Sequence, residues 1–156
     1  MSKFCFGDDL EAIKRAQDYK ELLEIALLIL NRIKITCSGQ PIAMVCGPIS
    51  NGGTGSRKIN LQIFGRAIER LALNGLLIFS QMPFEDDMER IYKSKPELQG
   101  LRLLEEFYLP IFESGDIKLL CFLPGWQRSI GANWEHEQAK RLKIPIIYLS
   151  DFYTRD

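Results

Sequence analysis

Residues 117–142 run from an apolar stretch through Pro124-Gly125 straight into a helical period, and that junction restricts the fold more than any other feature. The run 117–122 is too short for a buried helix and has the near-continuous apolar character of a strand covered on both faces. The Pro-Gly pair turns the chain, and Ser129 stands where a helix N-cap is wanted. A strand that turns abruptly into a helix leaves unpaired N–H groups and partial positive charge at the helix start, which suits an anion such as phosphate. Glu135 follows Ser129 by six residues, hence ~9 Å further along the helix axis. That span is comparable to the distance from a nucleotide's phosphate to its anomeric carbon. An ordinary capped helix with a solvated Glu would have the same spacing.

The same grammar recurs upstream. Residues 42–46 form a second apolar run, ending in Gly47-Pro48-Ile49-Ser50 and a loop rich in Gly, Ser and Thr that reaches Lys58. A helix over 60–73 follows, closed by Asn74-Gly75. This loop does not fit the P-loop pattern, because no Gly is followed directly by Lys. It also lacks the third Gly of the dinucleotide fingerprint, where Lys58 stands. Its backbone N–H groups, its hydroxyls and Arg57 or Lys58 remain available to an anion; a plain surface turn is the alternative.

Strands are further expected over 76–80 and 144–149, and helices over 97–114, interrupted by Pro110, and 129–143. Strand, helix, strand, helix, strand, helix, strand reads as an α/β fold. The expected architecture is a doubly wound parallel sheet of four to five strands, Rossmann- or flavodoxin-like. Residues 8–35 have a helical apolar period that becomes apolar nearly all round. They are expected to form one extra N-terminal helix, capped by Asp8 or Asp9, within an extension over 1–41 that precedes the α/β domain over 42–156. In sheets of this kind ligands lie at the carboxyl ends of the strands, where loops 47–58, 81–88 and 124–130 are expected to meet.

Composition narrows the function. Twenty basic residues balance twenty acidic ones among 156, so charge gives no reason to expect polymeric nucleic acid or a membrane as partner. The longest apolar run, 25–30, is far too short to span a bilayer, and the first residues do not lead into a signal peptide. Cys5, Cys37, Cys46 and Cys121 show no paired spacing, and there is a single His. Reduced thiols in a cytoplasmic protein are therefore expected, with no zinc site. The acidic run Glu85-Asp86-Asp87 lacks the neighbours of a metal loop and reads as a solvated loop or a helix start. No metal and no cofactor are expected.

Residues 44–149 resemble the nucleoside 2-deoxyribosyltransferase superfamily, most of all its small domains that carry L-P-G-W-x-x-S-x-G-A-x-x-E. The Ser129-x-Gly131-x-x-x-Glu135-x-x-x-Ala139 pattern also looks like the deoxynucleoside-monophosphate N-glycosidase branch. By that resemblance Ser129 would hold a 5′-phosphate and Glu135 would attack the anomeric carbon. Gly47 and Ser50, in the first loop, and Gly125, Trp126 and Gly131 would complete the substrate contacts. As aromatic side chains, Trp126 and Phe84 are candidates for stacking on a base, with ordinary packing as the alternative. Asp116 would be structural, as would Trp134 and His136 on the helix. Two positions depart from the family pattern. Met44 stands where a Tyr is common, and Phe107 and Tyr108 stand where an Asp is common. Tyr108 is then the candidate for protonating the leaving base, with Glu105, Glu106 and Asp86 as alternatives.

The resemblance implies cleavage or transfer at the N-glycosidic bond of a nucleoside or its 5′-monophosphate, in a homodimer or higher homo-oligomer. A nucleotide-binding or sensing module without turnover is the alternative. A phosphoribohydrolase of the lysine-decarboxylase-like type is a weaker one.

Overall fold

A computed structural model describes residues 3–156. The described residues divide into two compact units, one built from residues 41–80 and 117–156, the other from 3–40 and 81–116.

The first unit holds the sheet. β1 (Ile42–Cys46), β2 (Leu77–Ile78), β3 (Ile117–Phe122) and β4 (Ile146–Tyr148) are all parallel, in the order β2-β1-β3-β4. This is the expected α/β sheet with a flavodoxin-like strand order. Every residue of β1 is buried, as its apolar run requires. The one polar residue of β3, Lys118, is exposed at a register slip: Ile42 pairs with Ile117 but Ala43 pairs with Leu119. A one-residue bulge lets the lysine leave the core while the apolar residues beyond it keep their pairing.

β1 is joined to β2 by α3 (Arg57–Leu73), and β3 to β4 by α6 (Ile130–Leu142). These two connections run in opposite directions across the sheet, so right-handed crossovers place α3 and α6 on opposite faces. Strand order therefore reverses between β1 and β3. At such a point the chain segments leaving the two strands diverge and a crevice opens. The α3 helix begins three residues before the expected start because Ser56 caps it, accepting the Ile59 N–H at 3.3 Å. β2 and β4 are shorter than the apolar runs that announce them, although Phe79 still donates its N–H to the Ala43 carbonyl.

The second unit is helical. The single helix expected over 8–35 is two helices, α1 (Gly7–Arg15) and α2 (Tyr19–Thr36). Asp18 caps α2 by accepting the Glu21 N–H at 2.9 Å, and the Glu21 carboxylate in turn accepts the Gln17 N–H. These two side-chain caps start a new helix inside an unbroken apolar period. The guanidinium of Arg90 closes the end of α1, donating to the Ala16 carbonyl at 2.9 Å while Asp87 holds its Nε. Neither Asp8 nor Asp9 is the N-cap of α1. Phe6 is, and Asp9 reaches back to accept its N–H at 2.7 Å. α2 buries Tyr19, Leu22, Ala26, Ile29, Leu30 and Ile33, while Leu28 and Ile35 remain exposed.

Glu85, Asp86 and Asp87 form the first turn of α4 (Glu85–Ser94). Pro110 interrupts the later helix in a specific way: Leu104–Tyr108 is a π segment, followed by α5 (Leu109–Glu113). A proline has no N–H to give and its ring crowds the preceding turn, so widening that turn relieves both demands. No helix among the described residues is long and apolar enough to cross a membrane.

Candidate functional site at the strand-order reversal

The loop after β3 begins with a tight turn. Trp126 donates its N–H to the Leu123 carbonyl at 3.2 Å, with Pro124 second and Gly125 third at φ 79°. A type II turn wants Pro and Gly at these two places. A single 3-10 turn over Trp126–Arg128 follows, then Ser129 as N-cap of α6. The Ser129 hydroxyl accepts the Ala132 N–H at 3.1 Å, and Ser129 is buried. The Ile130 N–H, at the first position of the helix, goes to Asn51 Oδ1 at 2.9 Å. Two of the helix-start donors expected to meet an anion are thus met by side-chain oxygens of the fold.

Asn51 belongs to the loop after β1, and the two loops are pressed together. A Cβ on Gly52, which has φ 72°, would lie 2.5 Å from the Arg128 carbonyl oxygen. One on Gly47 would lie 2.6 Å from the Leu123 side chain. Gly47 is therefore required for packing β1 against the end of β3. The loop is tied internally by Asn60, a buried residue in the first turn of α3. Its Nδ2 donates to the Ile49 and Gly52 carbonyls at 2.9 and 3.3 Å. Its Oδ1 accepts the Thr54 N–H at 3.0 Å and hydroxyl at 2.8 Å. All of its hydrogen-bonding capacity is used on one loop.

Between the loops lies a cleft of about 350 Å³. Its apolar walls are Pro48, Ile63, Leu123 and Pro124, and Gly53, Thr54, Asn60, Gly125, Arg128 and Thr154 supply the rest. Of the expected site residues, Gly125 lines this cleft. Ser50 is exposed in the first loop, and Gly131 is half-buried in the first turn of α6.

Glu135, also absent from the cleft walls, is buried on the second turn of α6. Cys46, the last residue of β1, is fully buried and hydrogen-bonds to it. Burial, and then the Glu135 charge, push the Cys46 thiol well above its usual range. The thiol therefore stays protonated and acts as a neutral donor to the carboxylate.

Trp126 stacks on His136, with ring centres 4.3 Å apart and planes 20° apart, and Phe122 meets the indole edge-on. His136 Nε2 lies 2.7 Å from the Tyr148 hydroxyl. Burial, aided by Lys140, lowers the imidazole's pKa.

Met44 is fully buried in β1. Tyr108 lies in the helical unit, edge-on to Phe107 at 5.0 Å, its hydroxyl 3.9 Å from the Met88 sulfur. Phe84, the other proposed stacking residue, is also in that unit, buried and 5.3 Å from Phe107. Among the described residues, no group of three or more His, Cys, Asp or Glu side chains is placed to hold a metal.

A family model for a domain of unknown function, DUF4406, matches residues 44–148. The chain belongs to the DUF4406 family. The match begins inside β1 and ends with β4, so the DUF4406 domain takes in both loops, α6, Glu135 and Tyr108. No curated protein and no solved structure matches the chain.

Three residues of the DUF4406 domain escape a sequence reading of its site: Asn51, Asn60 and Arg128. The two asparagines look like ordinary loop and helix polar residues until the backbone groups that they satisfy are in place. Arg128 carries a signal, as a cation between a Pro-Gly turn and a helix cap, but the adjacent serine draws attention from it.

Proposed function

We propose that the domain binds a nucleoside or nucleoside 5′-monophosphate and cleaves or transfers at its N-glycosidic bond, with Glu135 as nucleophile. The observation that carries this reading is a carboxylate buried at the carboxyl end of β1, on the helix that leaves the strand-order reversal. A carboxylate there can attack the anomeric carbon as the bond to the base breaks. The bonding pair leaves with the base, which takes a proton from water. Water, or a second base, then displaces the glutamyl ester and restores the carboxylate. The Cys46 thiol, kept protonated, would fix the carboxylate's orientation without neutralising it. The resemblance of 44–149 to the nucleoside 2-deoxyribosyltransferase superfamily supports the same chemistry.

The test is chromatographic detection of free base from a panel of nucleosides and 5′-monophosphates, with and without an acceptor base. Glu135→Gln keeps the shape of the side chain and removes its charge, and it should abolish base release while sparing ligand binding. Release that survives the substitution removes Glu135 from the mechanism.

A binding module without turnover is the second reading. It is favoured by Met44 and Tyr108: one is a buried thioether, and the other directs its hydroxyl at a sulfur. Clear nucleotide binding with no base release from any substrate would decide for it.

A further inference from the structure

We infer that the cleft between the two loops is a binding site for a small ring-bearing organic anion, a phosphate monoester or a carboxylate, held by Arg128. The inference goes beyond the N-glycosidic reading and needs no turnover at Glu135, which is not among the cleft-lining residues.

A volume of about 350 Å³ falls in the range of small-molecule sites, which combine apolar walls with a few convergent polar groups. The apolar walls are two proline rings, Ile63 and Leu123, flat and branched surfaces suited to the face of a ring. Most of the polar wall is already committed. Asn60 spends its donors on Ile49 and Gly52 and its acceptor on Thr54. Thr154 is held from behind, its carbonyl accepting from Arg66 at 2.6 Å. Arg128 differs from the other structural arginines. Arg32, Arg66, Arg70 and Arg90 each donate to an oxygen of the fold. Arg128 is exposed and lines the cleft, and no acceptor among the described residues takes its guanidinium. A guanidinium presents a planar fork that matches a carboxylate or phosphate edge through two hydrogen bonds.

The site is also pre-formed. Gly52 presses on the Arg128 carbonyl, and Gly53, at φ 58°, has no room for a Cβ beside Asn60 and Pro48. A ligand therefore need not order the loop that receives it.

Amide chemical shifts of the ¹⁵N-labelled protein, followed during titration with phenyl phosphate, benzoate, neutral benzamide and inorganic phosphate, test the inference. Phenyl phosphate or benzoate should saturate shifts at Gly53, Thr54, Gly125 and Arg128. The better of the two should bind ~10-fold or more tightly than benzamide or inorganic phosphate, as expected for hydrogen bonds to a charged group added to ring burial. Their ranking tells which anion the fork prefers. Arg128→Met should remove the advantage of the anion over benzamide, and Ile63→Trp, which fills the cleft, should abolish binding of every ring compound. Shifts confined to other amides, equal binding by inorganic phosphate, or an unchanged anion preference in Arg128→Met would each overturn the assignment. Base release and its loss in Glu135→Gln are scored separately, so this site and the nucleophile fail or stand independently.

Discussion

Asn51 Oδ1 accepts the N–H of Ile130 at 2.9 Å, so the loop after one central strand caps the helix that follows the other. Asn51→Ala should destabilise the protein by ~1 kcal/mol, the usual cost of removing a cap interaction. Asn51→Asp should hold or raise stability, because a carboxylate at this place favours the helix dipole. Urea unfolding of the three proteins at neutral pH checks the order. An aspartate weaker than the alanine would mean that the contact does not cap the helix.

His136 is the single histidine of the chain, which isolates its titration. Burial and Lys140 lower its pKa from 6.5, against a smaller opposing effect of Glu137. Below about 6.5 the unfolded state takes up a proton that the folded state resists. Stability from this group is therefore complete above 6.5 and falls as pH drops toward the lowered folded value. Its C2–H resonance should titrate below 6.5, and thermal stability should decline between pH 7.5 and pH 5. His136→Phe should flatten that part of the decline. A resonance titrating above 6.5 would contradict the buried, indole-stacked ring.

Asn60→Ala should cost ~2–3 kcal/mol, since it strands two loop carbonyls and the Thr54 donors at once. Limited proteolysis of this variant should cut within 49–56 where the parent resists. Asn60→Asp should not rescue the loss: it keeps the acceptor for Thr54 but sets a buried carboxylate oxygen against the Ile49 and Gly52 carbonyls.

Asp9 and Arg32 tie α1 to α2 through a 2.7 Å ion pair. The hydrogen bond from Arg32 leads the effects that lower the Asp9 pKa from 3.8. The pair's stabilisation is therefore present above that value and is lost as pH falls through the lowered folded value. Asp9→Asn should cost ~1.5–3 kcal/mol at neutral pH and remove that acid-side loss. Equal acid sensitivity in the two proteins would assign the loss to other carboxylates.

Much of the sheet was legible because its signals are local. The apolar runs of β1 and β3 need only their own composition, and Pro124-Gly125 and Ser129 announce a turn and a cap by residue type. The break between α1 and α2 was hidden because Ala16 and Gln17 are ordinary helix residues and the apolar period runs through them. What stops the helix is Asp18 pairing with Glu21 locally and Arg90 from far along the chain. The site is less legible for the same reason. Glu135 and Gly125 stand out by type and spacing. By contrast, Asn51, Asn60 and the open guanidinium of Arg128 acquire meaning from partners distant in sequence, or from having none. The cleft and Glu135 also separate in a way that spacing along one helix does not reveal.

The chain leaves the sheet unit after Ser80 and re-enters it at Ile117, so the helical unit is assembled from two pieces of sequence. During synthesis α1 and α2 emerge first, yet the π segment and α5 on which α2 packs come some seventy residues later. Until then the buried stripe of α2 has only α1 to pack on within its own unit, which makes this the interval of greatest exposure to aggregation on the ribosome. The family match begins at residue 44, so an expression fragment cut to that boundary would carry the second half of the helical unit without the first.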